Sequence, residues 1–162
     1  EAKKNNLEDI IKFHKKLGWR ILMNEHEFIE KDGEKICILG VENWGGNLHF
    51  PRYGKIEDAL KNTENYPVKL LLSHDPSHWD NMISRKHHDI DATFSGHTHG
   101  MQMVIDISWL KWSPVKYVYP RWAGMYTNES LVEKNQYLNV NRGLGHIGYP
   151  GRLGILPEIT LF

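Results

Sequence analysis

Leu7, Ile10, Ile11, His14 and Leu17 recur at helical spacing, which predicts an amino-terminal helix with one apolar face. Asn6 is its cap, with Asp9 three residues on, and Gly18 supplies the stop. Residues 19–24 read as a short strand. Segments 27–31 and 34–41 flank Asp32-Gly33, a strong hairpin signal. Gly45, Gly46 and Pro51 break up 42–54 into loop, and 55–62 reads as a short helix. The run 68–73 is mostly apolar and of strand length, as in a buried parallel sheet. A helix follows, capped at Ser77 with Asp80 three positions on and striped by Trp79, Met82 and Ile83. Residues 92–95 form another strand. Beyond Gly100 the pattern loosens: 101–120 is rich in Trp and Tyr without clean periodicity. Segments 122–127, 136–141 and 158–162 read as strands, with Asn128-Glu129-Ser130 turning between the first two. Strand and helix alternate early and strands dominate late, so the chain is of α/β class.

Composition narrows the picture. A length of 162 residues predicts one domain, and no repeat or linker divides it. Twenty basic residues balance twenty acidic ones, so there is no charge signal for nucleic acid. No apolar run approaches the roughly 20 residues of a spanning helix, and no signal peptide is visible. The single cysteine, Cys37, excludes an internal disulfide and fits a reducing compartment. It lies in an apolar run and reads as a buried small hydrophobe rather than a nucleophile. The chain starts at Glu1 rather than Met, inside what reads as a helix start, so it is expected to be a piece of a longer protein.

Ten histidines are many for this length, and three of them converge by topology. A strand–helix–strand unit is a right-handed crossover between parallel strands, so both carboxyl ends lie on one sheet edge. His74 follows the first strand in Ser73-His74-Asp75-Pro76. His97 and His99 follow the second in "FSGHTHG". Ligand sites of open α/β sheets lie outside this edge. In extended chain, alternate residues face one side, so His97 and His99 can point together while Thr98 points away. Gly96 and Gly100 permit close backbone approach. Imidazole suits zinc, iron or manganese; the competing reading is of loop histidines with satisfied hydrogen bonds. A Ser73-His74-Asp75 hydrolase triad is disfavoured, because triad members come from separated segments. Trp44, His49, Phe50 and the Trp-rich stretch 109–122 read as core more readily than as a pocket or membrane-facing lining.

"LLSHDP", followed some twenty residues on by "FSGHTHGMQ", resembles the carboxyl-terminal part of the calcineurin-like metallophosphoesterases. The tail "YLNVNRGLGHIGYPGRLGILPEITLF" is similar to the ending of a bacterial branch whose members often carry an amino-terminal membrane anchor. The resemblance implies a four-layer α/β/β/α sandwich, of which residues 1–162 would be the carboxyl-terminal portion of a single domain. It implies a site holding two divalent ions (Mn, Fe, Zn or similar), in which His74 and His97 serve one ion and His99 the other. A hydroxide bridging the ions would attack phosphorus in a phosphomonoester, phosphodiester or pyrophosphate. Asp75 would orient a neighbouring ligand, and Arg142 and His146 would face the substrate phosphate from the glycine-rich tail loop.

The sequence also departs from the family. Asp-x-His, Gly-Asp-x-x-Asp and Gly-Asn-His-Asp or Glu, which open the family's site, are absent. Asn24-Glu25-His26 lacks the leading glycine of the third motif, and its Asn and His are not adjacent. The amino-terminal half of the sandwich is therefore expected to be missing. Three neutral imidazoles supply no negative charge to balance two dications. The expectation is a hydrolase parent, a fragment that is inactive alone, and at most one Zn²⁺ or Ni²⁺ bound weakly. The missing amino-terminal half would be a partner, and self-association through exposed core is expected. The alternatives are a non-catalytic mononuclear metal-binding or interaction module, and an enzyme completed by a second chain.

Overall fold

Asp32 (φ 54°) and Gly33 (φ 84°) both adopt the left-handed region, the geometry of a two-residue turn that matches the twist of paired strands. They join β1 (Glu25–Lys31) to β2 (Glu34–Gly40), antiparallel, with Phe28 opposite Cys37. The structure is a computed structural model and describes residues 2–46, 51–130 and 134–162. β2 pairs in parallel with β3 (Val68–Leu72), and β3 in parallel with β4 (Ala92–Ser95), as the two apolar runs predict. A small hairpin, β5 (Ile105–Ile107) and β6 (Leu110–Trp112), stands apart. β7 (Gly124–Thr127) pairs antiparallel with β8 (Tyr137–Val140), and β8 lies parallel to β4. One six-stranded sheet results, in the order β1-β2-β3-β4-β8-β7. The helices are α1 (Ala2–Lys16), α2 (Ile56–Ala59) and a π segment, Trp79–Ile83, running into α3 (Ser84–Lys86).

The sheet is covered unequally. Register and the two-residue period place Cys37, Leu39, Leu71, Thr93, Leu138 and Val140 on one face, all buried. Ile56 and Ala59 of α2 and Trp79 and Ile83 of the π segment close over it as a single core. The opposite face carries Ile29, Ile36, Val68, Leu72, Met125 and Tyr137, all exposed. Leu71 is 0% exposed and its neighbour Leu72 is 47% exposed, so a full apolar stripe faces outward. A second, smaller core joins Val104, Val115, Tyr119, Trp122, Ala123 and Ile155 behind the turn that follows β4.

Several expectations are corrected. α1 begins at Ala2, so Asn6 lies within the helix rather than capping it, while Gly18 (φ 76°) does end it. Residues 19–24 form no strand, because Asn24 turns left-handed (φ 63°) and its amide clips separate segments together. Asn24 Nδ2 donates to Glu42 (2.6 Å), and Asn24 Oδ1 accepts from the Lys55 N–H (2.7 Å). Ser77 lies inside its helix, and the residue that caps it is Asp75, whose Oδ1 accepts the Ser77 N–H at 2.9 Å. Residues 158–162 have no strand partner among the described residues. Side-chain contacts hold them instead: Asn141 Nδ2 to Thr160 Oγ1 (2.7 Å), and the Phe162 ring 4.7 Å from that of Phe94. His49 and Phe50 lie outside the described residues. Among the described residues no helix is long and apolar enough to cross a membrane.

Candidate metal centre

β3 and β4 deliver their ends to one edge. Ser73 N–H donates to Phe94 O (3.0 Å) and Gly96 N–H to His74 O (3.0 Å), so the two loops leave the sheet already locked together. This sets His74 Nε2 3.2 Å from His97 Nδ1, with the rings edge to face at 83°. Two nitrogens bound to one tetrahedral Zn²⁺ at about 2.05 Å would lie about 3.3 Å apart. The two rings thus share a hydrogen bond whose length also matches the spacing of two ligands on one ion.

The loop reaches this arrangement by turning, not by staying extended. His97 (φ 67°) and His99 (φ 50°) are left-handed, as are Met101 (φ 52°) and Gln102 (φ 55°). Non-glycine residues in this region carry strain and gather at functional sites. Thr98 does point away, donating from Oγ1 to Trp122 O at 2.7 Å. His99 opens the 3-10 turn His99–Gln102, and its buried Nδ1 has no hydrogen-bond partner. A Cβ on Gly143 would lie 3.7 Å from His99 Cε1, so the tail loop abuts this imidazole. Gly100 is left-handed (φ 57°) and closely packed, with a Cβ there 2.6 Å from Ile155 Cδ1.

Burial holds the His74 and His97 imidazoles below the usual histidine range. At His74 the neighbouring His97 adds to this and Asp75 opposes it; at His97 Asp75 opposes it and His99 adds to it. Neutral imidazole is the form that ligates metal. Asp75, buried, spends its carboxylate on backbone: Oδ1 takes Ser77 N–H, and Oδ2 takes Gly46 N–H at 3.0 Å. Arg142 is engaged by Glu158, with Nε 2.7 Å from Oε2, and His146 is exposed in the tail loop. The structure thus joins His74 to His97, brings the Gly143 loop against His99, and leaves Asp75 and Arg142 with structural partners.

Three further side chains brace the histidine edge. Tyr119, from the aperiodic aromatic stretch, sets its hydroxyl 2.9 Å from His97 Nε2. His78 is fully buried, bonds Ser73 Oγ through Nδ1 (2.9 Å) and stacks on Trp44. Gln102 is 1% exposed and ties the turn to the tail. Each contact joins residues whose meeting no local periodicity encodes.

Two facing imidazole nitrogens suit a borderline dication, and among the described residues the buried Nδ1 of His99 meets no hydrogen-bond partner. Among the described residues no group of three or more His, Cys, Asp or Glu side chains forms a ready cage, and no carboxylate completes a site for a second ion.

No family model matches the chain, and no solved structure matches it. Curated proteins do. The uncharacterized metallophosphoesterase YkuE of Bacillus subtilis is 28% identical over 146 residues, 90% of this chain and 46% of its own length. The transmembrane protein with metallophosphoesterase domain of Bos taurus is 30% identical over 80% of this chain and 28% of its own length. The uncharacterized metallophosphoesterase YkoQ of Bacillus subtilis is 28% identical over 88% of this chain and 48% of its own length. The chain spans about half or less of the length of these relatives. By sequence the chain is similar to part of each of these proteins, which are named as metallophosphoesterases or for a metallophosphoesterase domain.

Proposed function

We propose that this chain supplies the carboxyl-terminal part of a metal-dependent site that hydrolyses a phosphate ester, completed by an amino-terminal half that seats on the open sheet face. The observation that carries the reading is the 3.2 Å approach of His74 Nε2 to His97 Nδ1 at the carboxyl edge of β3 and β4. His74 and His97 would hold one divalent ion, and His99 would serve a second. Such ions, when bound, polarise a phosphoryl oxygen and offset the charge that develops on it. The chain's own part is to orient the imidazoles, keep them neutral and wall the site with the tail loop, from which His146 and Arg142 would meet substrate phosphate. The second sheet of a four-layer sandwich would cover Ile29, Ile36, Val68 and Leu72. A membrane anchor, where present, would belong to the amino-terminal part.

Alone, the chain should not turn over. Among the described residues no carboxylate is placed to bridge two ions. The same absence supports a second reading, a non-catalytic module that binds one ion. The test is hydrolysis of bis-p-nitrophenyl phosphate with Mn²⁺. The expected result is no turnover by the chain, turnover by the longer protein, and loss of that turnover on His97→Ala. A longer protein indifferent to His97→Ala would overturn the hydrolase reading.

A further inference from the structure

We infer that Tyr119 is the positioning residue of His97: its hydroxyl accepts the His97 Nε2–H and so aims the Nδ1 lone pair at the position that His74 Nε2 also faces. The inference rests on the metal-site reading above and adds to it a residue from outside the histidine motif.

Tyr119 is 4% exposed, so its hydroxyl meets the imidazole away from bulk water. His97 Nε2 lies 2.9 Å away, with the rings edge to face at 74°. A phenol is protonated at neutral pH, so Tyr119 meets the imidazole as a neutral group. The backbone that carries the ring is itself fixed. Tyr119 N–H donates to Val115 O (2.8 Å), closing the 3-10 turn Pro114–Tyr117. Ser113 starts that turn by accepting the Val115 N–H, and its Oγ donates to Gly100 O at 2.8 Å. Thr98 Oγ1 grips Trp122 O on the far side. The aromatic stretch is thus fastened to the histidine turn at His97, Thr98 and Gly100, and Tyr119 belongs to the same buried core as Val104, Val115 and Ile155.

This rigidity is what a positioning group needs. The nitrogen of an imidazole that faces away from a metal is usually held by a hydrogen-bond acceptor, which fixes tautomer and ring orientation, and losing that acceptor costs roughly 10–100-fold in metal affinity. Here the acceptor is a phenol rather than a carboxylate, so it fixes the ring without adding charge.

The experiment compares the chain with Tyr119→Phe and reads two quantities. ¹⁵N-histidine NMR on the metal-free protein reports the His97 tautomer. Zn²⁺ alone, titrated in competition with a chromophoric chelator, reports affinity. The expected result is a single Nε2–H tautomer in the parent chain, a tautomer mixture in Tyr119→Phe, and Zn²⁺ binding about tenfold weaker or worse. Val115→Ala loosens the same core without touching the hydroxyl, and should lower stability while leaving the tautomer alone. An Nδ1–H tautomer in the parent chain, or a tautomer unchanged by Tyr119→Phe, overturns the role of Tyr119 with no ion present. Unchanged Zn²⁺ affinity in His97→Ala instead overturns the metal-site reading, so the two failures are distinct.

Discussion

Gln102 and Tyr149 bind each other reciprocally: Gln102 Nε2 donates to Tyr149 O at 2.8 Å, and the Tyr149 hydroxyl donates to Gln102 O at 3.0 Å. Gln102 Nε2 also reaches Gly151 O at 2.6 Å, and its Oε1 accepts the Ile147 N–H. One buried amide therefore fastens the glycine-rich tail to the histidine turn. Gln102→Leu keeps the volume and strands these backbone groups. The expected loss is about 2–4 kcal/mol, since each unsatisfied buried group costs about 1–3 kcal/mol. Urea denaturation measures it, and limited proteolysis should cut the variant first within residues 147–153.

His78 gives the fold an acid limit. Burial, reinforced by the nearby His87, lowers its imidazole to about 4, with Asp75 opposing. The unfolded chain takes up a proton near pH 6.5, and the folded chain resists until about pH 4. Stability from this group is thus complete above about pH 6.5 and falls as pH drops toward 4, by about 3 kcal/mol at most. His74 and His97, also lowered by burial, act in the same direction. Denaturation midpoints between pH 7 and 4.5 should fall for the parent chain and fall less steeply for His78→Gln.

Leu71 and Leu72 are neighbours on opposite faces of β3, and their substitution separates the covered face from the open one. Leu71→Ala should cost about 3 kcal/mol, because it opens a cavity in a packed core. Leu72→Lys should cost under about 1 kcal/mol in the isolated chain. It should also reduce self-association, read by sedimentation velocity, since it breaks the exposed apolar stripe. Equal costs at the two positions would mean that the outer face is covered too.

Gly100 and Met101 are adjacent, both left-handed, and should respond oppositely. Met101 is exposed, so Met101→Gly relieves backbone strain and should stabilise by roughly 0.5–1 kcal/mol. Gly100→Ala adds strain and a clash with Ile155, and should destabilise by about 2 kcal/mol. Thermal unfolding of the two variants decides the signs.

The parts of the fold readable from sequence are those with a local cause. Asp32-Gly33 can form its turn unaided, and segments 68–73 and 92–95 have strand length and composition, although β3 is buried on one face only. Their parallel pairing then brings His74 and His97 to one edge. Segments 19–24 and 158–162 have strand-like composition, but a strand needs a partner, and composition does not say whether one is present. Tyr119 was equally out of reach. It meets His97 across 22 residues of chain, through a turn set by Ser113 and Pro114 inside a stretch without period. Asp75 has a backbone role that its sequence position does not announce: it satisfies the N–H groups of Gly46 and Ser77.

The strand order has a consequence for how the imidazole pair withstands motion. β3 and β4 occupy the middle of the six-stranded sheet, with β1 at one margin and β7 at the other. Opening fluctuations begin at margins, and the innermost amides exchange only when the whole fold comes apart. The hairpin β1–β2 and strand β7 can fray and re-form while the distance between His74 and His97 stays as it is. The nitrogens that must keep their spacing hang from the two strands that let go last.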